Sequence, residues 1–309
     1  MIREIVIARK YGFCMGVKRA IKIAEKTASE TDTPVTILNE IVHNESVVEA
    51  FRKKGIGQSF SVHDVESGTL IISAHGVEPG IKQAAINQGL TVVDATCPLV
   101  RNIYKIIQGI IPEGYYLIHF SDRDHDETKG VVGHAPDRIT VVSSISELDK
   151  YPSWAKRKLG LSVQTTSQIE DFKAFKEAAR AKWPHIKTFD TICAATNQLQ
   201  SAVHEMAPLV DMILVVGSKT SANSKRLAQI SQSLCGRGKL IGSDEDIREE
   251  WFAFDSDSIS RVGITAGAST PDFLVEAVIK RLNKLSGGTA RLIRLAGDRD
   301  KKEGRIIDS

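Results

Sequence analysis

Three of the four cysteines stand where an apolar, strand-like run gives way to helical periodicity. They are Cys14 in Ile5–Val17 (IVIARKYGFCMGV), Cys97 in Thr91–Val100 (TVVDATCPLV) and Cys193 in Lys187–Thr196 (KTFDTICAAT). The construction recurs about every ninety residues. No local motif pairs these residues, so only the fold can bring them to a common centre. The thiolate is the metal-ligating form of cysteine, and a helix N-terminus favours it. Three thiolates at one point suit an iron–sulfur cluster with one iron left open to substrate. A Cys₃His zinc site is the metal rival, although structural zinc sites usually draw their ligands in close pairs such as C-x₂-C, absent here. A single cysteine ordinarily serves as a small buried hydrophobe. Cys235, in Ser233–Gly238 (SLCGRG), lacks the pattern and reads as structural.

The other strand ends are polar. Leu70–Val77 (LIISAHGV) puts His75 just past an apolar run, and Leu38–Asn44 (LNEIVHN) does the same for His43. Leu117–Gly130 (LIHFSDRDHDETKG) carries His125 and Glu127, and Leu161–Thr166 (LSVQTT) carries Gln164, Thr165 and Thr166. Val215–Ser224 (VVGSKTSANS) offers Ser221 and Asn223, and Gly263–Asp272 (GITAGASTPD) offers Ser269. Ligands of parallel α/β sheets sit outside the carboxyl ends of the strands, so these loops are expected to share a crevice with the cysteines. Histidines, hydroxyls, an amide and backbone N–H groups make a cradle for an anion rich in acceptor oxygens. A diphosphate fits. A nucleotide fits less well, because neither G-x-x-x-x-G-K-[ST] nor G-x-G-x-x-G occurs. Glu127, two residues from His125, is the candidate proton donor. Several of these hydroxyls could instead cap helices, Ser224 and Thr270 above all.

The elements that must position these groups alternate. Strands are predicted at Ile5–Ala8, Val35–Leu38, Thr69–Ser73, Thr91–Asp94, Tyr115–Phe120, Ile139–Val142, Leu159–Gln164, Thr188–Thr191, Met212–Val216, Lys239–Ile241 and Arg261–Thr265. Helical periodicity follows each cysteine: Val17, Ala20, Ile21 and Ala24; Val100, Ile103 and Ile107; Leu199, Ala202, Val203 and Met206. The reading is an α/β fold of three similar lobes with pseudo-threefold symmetry. The lobes span residues 1–97 (whose first strand could pack elsewhere), 98–193 and 194–285. Residues 286–309 form a charged tail.

Composition narrows the class. A chain of 309 residues with 42% hydrophobic and 26% charged residues reads as an ordinary globular protein. A net charge of +3, with no basic run interleaved with aromatics, argues against a nucleic-acid partner. No apolar stretch is long enough to span a membrane, and the charged start MIREIVIARK is not expected to be a signal peptide. Four cysteines in so long a chain suit a reducing cytoplasm better than a disulfide framework.

Several strings carry a family resemblance: Gly12–Val17 (GFCMGV), Val42–Asn44 (VHN), Ser73–Val77 (SAHGV), Asp94–Val100 (DATCPLV), Gln164–Thr166 (QTT), Val215–Lys219 (VVGSK) and Thr265–Ser269 (TAGAS). Together they resemble the 4-hydroxy-3-methylbut-2-enyl diphosphate reductase family, in order along nearly the whole chain. The resemblance implies a trefoil of three α/β lobes around a central [4Fe–4S] cluster ligated by Cys14, Cys97 and Cys193. It also implies substrate diphosphate contacts at His43, His75, His125, Ser221, Asn223 and Ser269. Thr165 would meet the substrate hydroxyl, and Glu127 would supply the proton. The implied reaction is reductive loss of the allylic hydroxyl to give isopentenyl and dimethylallyl diphosphate. Ferredoxin or flavodoxin would be the electron donor.

Departures from the family pattern are expected in the pocket rather than the core. Ala222 stands between Ser221 and Asn223 where the family has serine, and Thr128 follows Glu127 in place of valine. Ser121 replaces a glycine, Leu199 an arginine and Tyr11 an arginine. Every cluster ligand and the acid remain. Two readings stay open: a working reductase with weaker substrate binding, or a paralogue that reduces a different allylic substrate. A non-catalytic cluster or metal-binding protein is the third.

Overall fold

The structure, a computed structural model, describes residues 2–151, 154, 156–252 and 259–296. Parallel strands need a crossover connection, usually a helix laid on the sheet, so the alternating pattern builds β–α units. β1 (Glu4–Ile7) leads through Cys14 into α1 (Met15–Glu30). Then come β2 (Val35–Leu38), α2 (Glu45–Lys53), β3 (Gly57–Ser59), β4 (Thr69–Ile72), α3 (Pro79–Asn87), β5 (Thr91–Asp94) and α4 (Pro98–Ile110). They are followed by β6 (Tyr116–Phe120), α5 (Asp126–Val132), β7 (Ile139–Val142), β8 (Leu159–Val163), α6 (Ile169–Lys182), β9 (Lys187–Thr188) and α7 (Ala194–Met206). The last stretch holds β10 (Met212–Val216), α8 (Ala222–Cys235), β11 (Gly238–Ile241), β12 (Arg261–Ala266), α9 (Asp272–Leu285) and β13 (Arg291–Arg294).

The strands form three parallel sheets, in the orders β3-β2-β4-β5, β7-β6-β8-β9 and β11-β10-β12-β1-β13. The α/β class and the three sheet-bearing lobes expected from the alternation are present. β1 pairs with β12 (Ile5 opposite Val262) and with β13 (Ile5 opposite Leu292), so the first strand belongs to the last sheet. β13 lies inside the segment read as a tail; residues 297–309 fall outside the described residues. Two compact units result. One comprises the chain up to Cys14, His43–Glu45 and the chain from Ala194; the other comprises Met15–Val42 and Ser46–Cys193. No helix among the described residues is long and apolar enough to cross a membrane.

β10 (MILVV) shows why parallel strands read as continuous apolar runs. Met212, Leu214 and Val216 enter one core with Ile264 and Val278, while Ile213 and Val215 enter another with Val203 and Met206. That second core also holds Leu199, which is 1% exposed. Leu199 is therefore a core residue, not the pocket departure expected. Tyr11 likewise packs on the first core, and its hydroxyl accepts a hydrogen bond from Arg294 Nη1 at 3.3 Å.

The strand predicted at Thr188–Thr191 stops at Thr188. There the Thr191 side chain takes over the ladder: Oγ1 accepts from Val163 N–H at 2.9 Å and donates to the Val163 carbonyl.

Candidate active site

Cys97 is the N-cap of α4 and Pro98 its first residue, while Cys14 and Cys193 immediately precede α1 and α7. All three cysteines are half-buried thiols, not disulfides. Each backbone N–H donates into the loop leaving the neighbouring parallel strand. Cys14 donates to the Ala268 carbonyl at 3.1 Å, Cys97 to Ala74 at 3.0 Å and Cys193 to Thr165 at 3.0 Å. The same anchor thus occurs three times, and it lands on or next to a residue singled out for substrate: Ser269, His75 and Thr165. A parallel ladder carried one step past the strand ends explains the recurrence.

In the unit containing β4 and β6, the apolar strand β4 ends in the turn Ser73–Gly76, closed by the Gly76 N–H on the Ser73 carbonyl at 3.2 Å. Gly76 has φ +75°, and a Cβ there would lie 2.2 Å from the Tyr104 hydroxyl. Only glycine fits. The turn presents His75 edge-on to His125, with ring centroids 5.6 Å apart. His125 is the N-cap of α5, and its Nδ1 accepts the Glu127 N–H at 3.1 Å. When the ring is neutral, that bond leaves the proton on Nε2.

Glu127 is 2% exposed. Its Oε1 accepts the Thr165 N–H at 2.8 Å, and its Oε2 accepts the Thr165 hydroxyl at 2.6 Å. Burial pushes the Glu127 carboxyl above its ordinary range, against the two Thr165 bonds that favour the ionised form. Gln164 secures the same turn, its Oε1 taking the Asp122 N–H at 3.0 Å. On β6, His119 faces Ser162 at 2.9 Å, and burial pushes its imidazole down to about 3, so it stays neutral.

In the other unit, the Ser269 hydroxyl donates to the His43 carbonyl at 3.0 Å. Ser221 is the N-cap of α8; its Oγ accepts the Ser224 N–H at 3.3 Å, which leaves its own O–H able to donate. Asn223 is buried in the first turn of α8, and neither polar atom of its amide has a partner among the described residues. A buried amide in that state is suited to a ligand at the helix N-terminus. Ala222, the first residue of α8, adds no hydroxyl there. The capping alternative therefore falls to Ser221, while the Thr270 hydroxyl donates to the Val216 carbonyl at 2.9 Å.

Two features escaped the sequence reading. Arg19, on α1, donates to the carbonyls of Ala95 and Thr96, both at 3.2 Å. Nothing near Arg19 in sequence signals this contact. The second feature was legible. Asp94 and Asp190 each stand three residues before a cysteine, and each Oδ1 accepts the N–H two residues on, Thr96 at 3.0 Å and Ile192 at 3.4 Å. These Asx turns shape two of the cysteine loops alike. Before Cys14, Gly12 at φ +72° makes the bend instead.

Residues 5–283 match the family described as LytB protein. The chain is 36% identical to the 4-hydroxy-3-methylbut-2-enyl diphosphate reductase of Ralstonia nicotianae over 93% of its own length and 89% of the relative's. It is 35% identical to the enzyme of that name from Geotalea uraniireducens, over 92% and 98%. The solved structure of the E-1-hydroxy-2-methyl-but-2-enyl-4-diphosphate reductase from Plasmodium falciparum superposes with a TM-score of 0.91 at 28% identity, covering 96% of this chain and 93% of that one. A second solved reductase, described as the terminal enzyme of the non-mevalonate pathway, gives a TM-score of 0.65 at 33% identity over 92% and 100%. The chain belongs to the LytB protein family, that of the 4-hydroxy-3-methylbut-2-enyl diphosphate reductases.

Proposed function

We propose that this chain reduces 4-hydroxy-3-methylbut-2-enyl diphosphate. The allylic C–O bond breaks, two electrons and two protons enter, and water leaves. Protonation at either end of the delocalised allylic unit gives isopentenyl or dimethylallyl diphosphate. A one-electron carrier protein, ferredoxin or flavodoxin, supplies the electrons. Family membership supports the substrate, and the Glu127–Thr165 pair carries the chemistry.

Cys14, Cys97 and Cys193 would hold a [4Fe–4S] cluster. Their chemistry fits: soft thiol donors, partly accessible, uncommitted to disulfides and fixed through their own backbones. When bound, the cluster supplies the electrons and a Lewis-acidic iron for the departing oxygen. The remaining work belongs to side chains. Hydroxide leaves poorly, so it must take up a proton as the bond breaks. Glu127, with its carboxyl raised by burial, retains a proton nearer neutral pH than an exposed glutamate does. Thr165 orients that carboxyl through its hydroxyl. When Glu127 is protonated, its O–H donates to Thr165 Oγ1, which frees the threonine proton to donate to the substrate oxygen.

His43, His75, His125, Ser221, Asn223 and Ser269 hold the diphosphate. Binding this remote, non-reacting group orients the allylic end. His125 contributes an Nε2 donor because its Nδ1 is engaged by Glu127 N–H, and Asn223 contributes an amide with no partner among the described residues. Ala222 favours one variation on this reading, a pocket shaped for a different allylic diphosphate, because it removes a hydroxyl at the helix N-terminus.

The test is anaerobic turnover of 4-hydroxy-3-methylbut-2-enyl diphosphate with a strong reductant, with both five-carbon products quantified. Both are expected from the cluster-loaded protein, and Glu127→Gln should abolish most turnover while iron and sulfide stay at the wild-type level. Cluster-loaded protein that consumes no substrate would refute the assignment. A Glu127→Gln rate near wild type would refute the proton role.

A further inference from the structure

The turn that carries Cys97 is held by two guanidinium groups that the substrate chemistry does not use. Arg19 reaches from α1 to the carbonyls of Ala95 and Thr96, both at 3.2 Å. Arg101, in the first turn of α4, donates to the Asp94 carbonyl at 2.9 Å. The three carbonyls preceding Cys97 thus each accept from an arginine. The backbone of Cys97 is fixed as well: its N–H donates to the Ala74 carbonyl and its carbonyl accepts from Arg101 N–H, both at 3.0 Å.

The two cations differ in their surroundings. Arg101 pairs with the Asp94 carboxylate at 3.1 Å, and Lys82 approaches the same group at 3.5 Å. Burial alone would raise the Asp94 carboxyl, but hydrogen bonds from Thr96 and the charges of Arg101 and Lys82 hold it below its ordinary value. Asp94 is therefore anionic and offsets Arg101. Arg19 is half-buried and has no carboxylate partner among the described residues. Its charge is delivered to the Cys97 turn unopposed. Arginine suits this position because one guanidinium nitrogen, Nη1, carries two N–H groups and serves both carbonyls from the end of a long side chain.

A centre ligated by Cys97 gains negative charge when it takes up an electron. A fixed, unmatched cation at that turn stabilises the reduced form more than the oxidised one. We propose that Arg19 is a positioning residue for Cys97 that also raises the reduction potential of the bound cluster. The inference rests on the proposed cluster site.

The test uses the full chain, loaded and handled without oxygen, as wild type, Arg19→Lys and Arg19→Met. Iron and sulfide are counted first, then the potential is measured by EPR-monitored titration, and then the rate of iron release to a chelator. Arg19→Met is expected to lower the reduced-to-oxidised ratio at fixed potential about tenfold, which is 59 mV for one electron. Arg19→Lys keeps the charge and should stay near the wild-type potential, yet both variants should release iron several-fold faster, because the shorter lysine and the apolar methionine no longer bring donors to the two carbonyls that Arg19 Nη1 serves. An Arg19→Met potential equal to wild type overturns the inference, as does an equal downward shift in Arg19→Lys. If Arg19→Met fails to load, Arg19→Lys decides: faster release at the wild-type potential supports the inference, and a wild-type release rate overturns it. Wild-type protein without sulfide overturns the cluster reading and this inference with it, whereas sulfide with no effect at Arg19 overturns the inference alone.

Discussion

Replacing Thr165 with valine keeps the shape of the side chain and the backbone N–H that Glu127 Oε1 accepts, and deletes only the hydroxyl on Oε2. A hydrogen bond to a charged group is worth about 1.5–3 kcal/mol, and one between neutral groups about 1 kcal/mol. The penalty therefore depends on the charge of Glu127. In the wild type, burial raises the Glu127 carboxyl above its unfolded value. Stability from this group is then fully present below the unfolded value and is lost as pH rises through the folded one. In Thr165→Val an ionised Glu127 has lost one of its two partners, so the carboxyl moves further up and the loss with pH steepens. The expected deficit relative to wild type is about 1 kcal/mol while Glu127 is protonated, growing to about 2–3 kcal/mol as pH rises through its raised folded value. Urea unfolding followed by tryptophan fluorescence reads it, because Trp154 and Trp183 are buried in the core of the same unit. With a slope of about 2 kcal/mol per molar, 2 kcal/mol moves the midpoint by about 1 M. A deficit that is constant or shrinks with rising pH would refute the charge-dependent role of the pair.

Other perturbations follow from single contacts. Ala222→Ser restores a hydroxyl in the first turn of α8 and should tighten diphosphate binding by up to about tenfold by calorimetry; unchanged affinity would mean that the pocket has been reshaped around another ligand. Gly76→Ala, at φ +75° and with its new methyl 2.2 Å from the Tyr104 hydroxyl, should destabilise by more than about 2 kcal/mol in urea and displace His75. Wild-type stability there would refute the tight turn. Leu199→Arg puts a charge into an apolar core and should cost several kcal/mol or prevent folding. A well-folded variant of unchanged midpoint would refute the core placement of Leu199.

Much of this was legible because two periodicities meet at each cysteine. A buried parallel strand reads as a continuous apolar run, an amphipathic helix repeats every three to four residues, and the change between them marked Cys14, Cys97 and Cys193. Short elements were not legible. β3 has three residues, all with polar or no side chains, and β13 alternates too briefly against flanking arginines. β9 was overestimated because Thr191 satisfies Val163 through its side chain and ends the regular ladder. Leu199 was read in two ways: periodicity put it with Ala202, Val203 and Met206 on the apolar face of α7, where it lies, while the family resemblance put its change in the pocket, because such a comparison names the missing residue and says nothing of packing. Glu127 and His125 were read as neighbours from their spacing. The Thr165 contact that governs Glu127 comes from a different strand end and exists only in the fold. Arg19 is the same kind of case: a helix side chain meets backbone carbonyls, which carry no side-chain identity to read.

The central claim is that thiols from three separate segments serve a single inorganic centre. Its most direct measurement is iron and acid-labile sulfide per chain in anaerobically prepared wild type and in Cys14→Ser, Cys97→Ser and Cys193→Ser. About four of each are expected in the wild type, and every serine variant should lose or degrade that same centre. Stoichiometric zinc without sulfide, or any one of the three variants retaining a full wild-type complement with unchanged spectra, would contradict it.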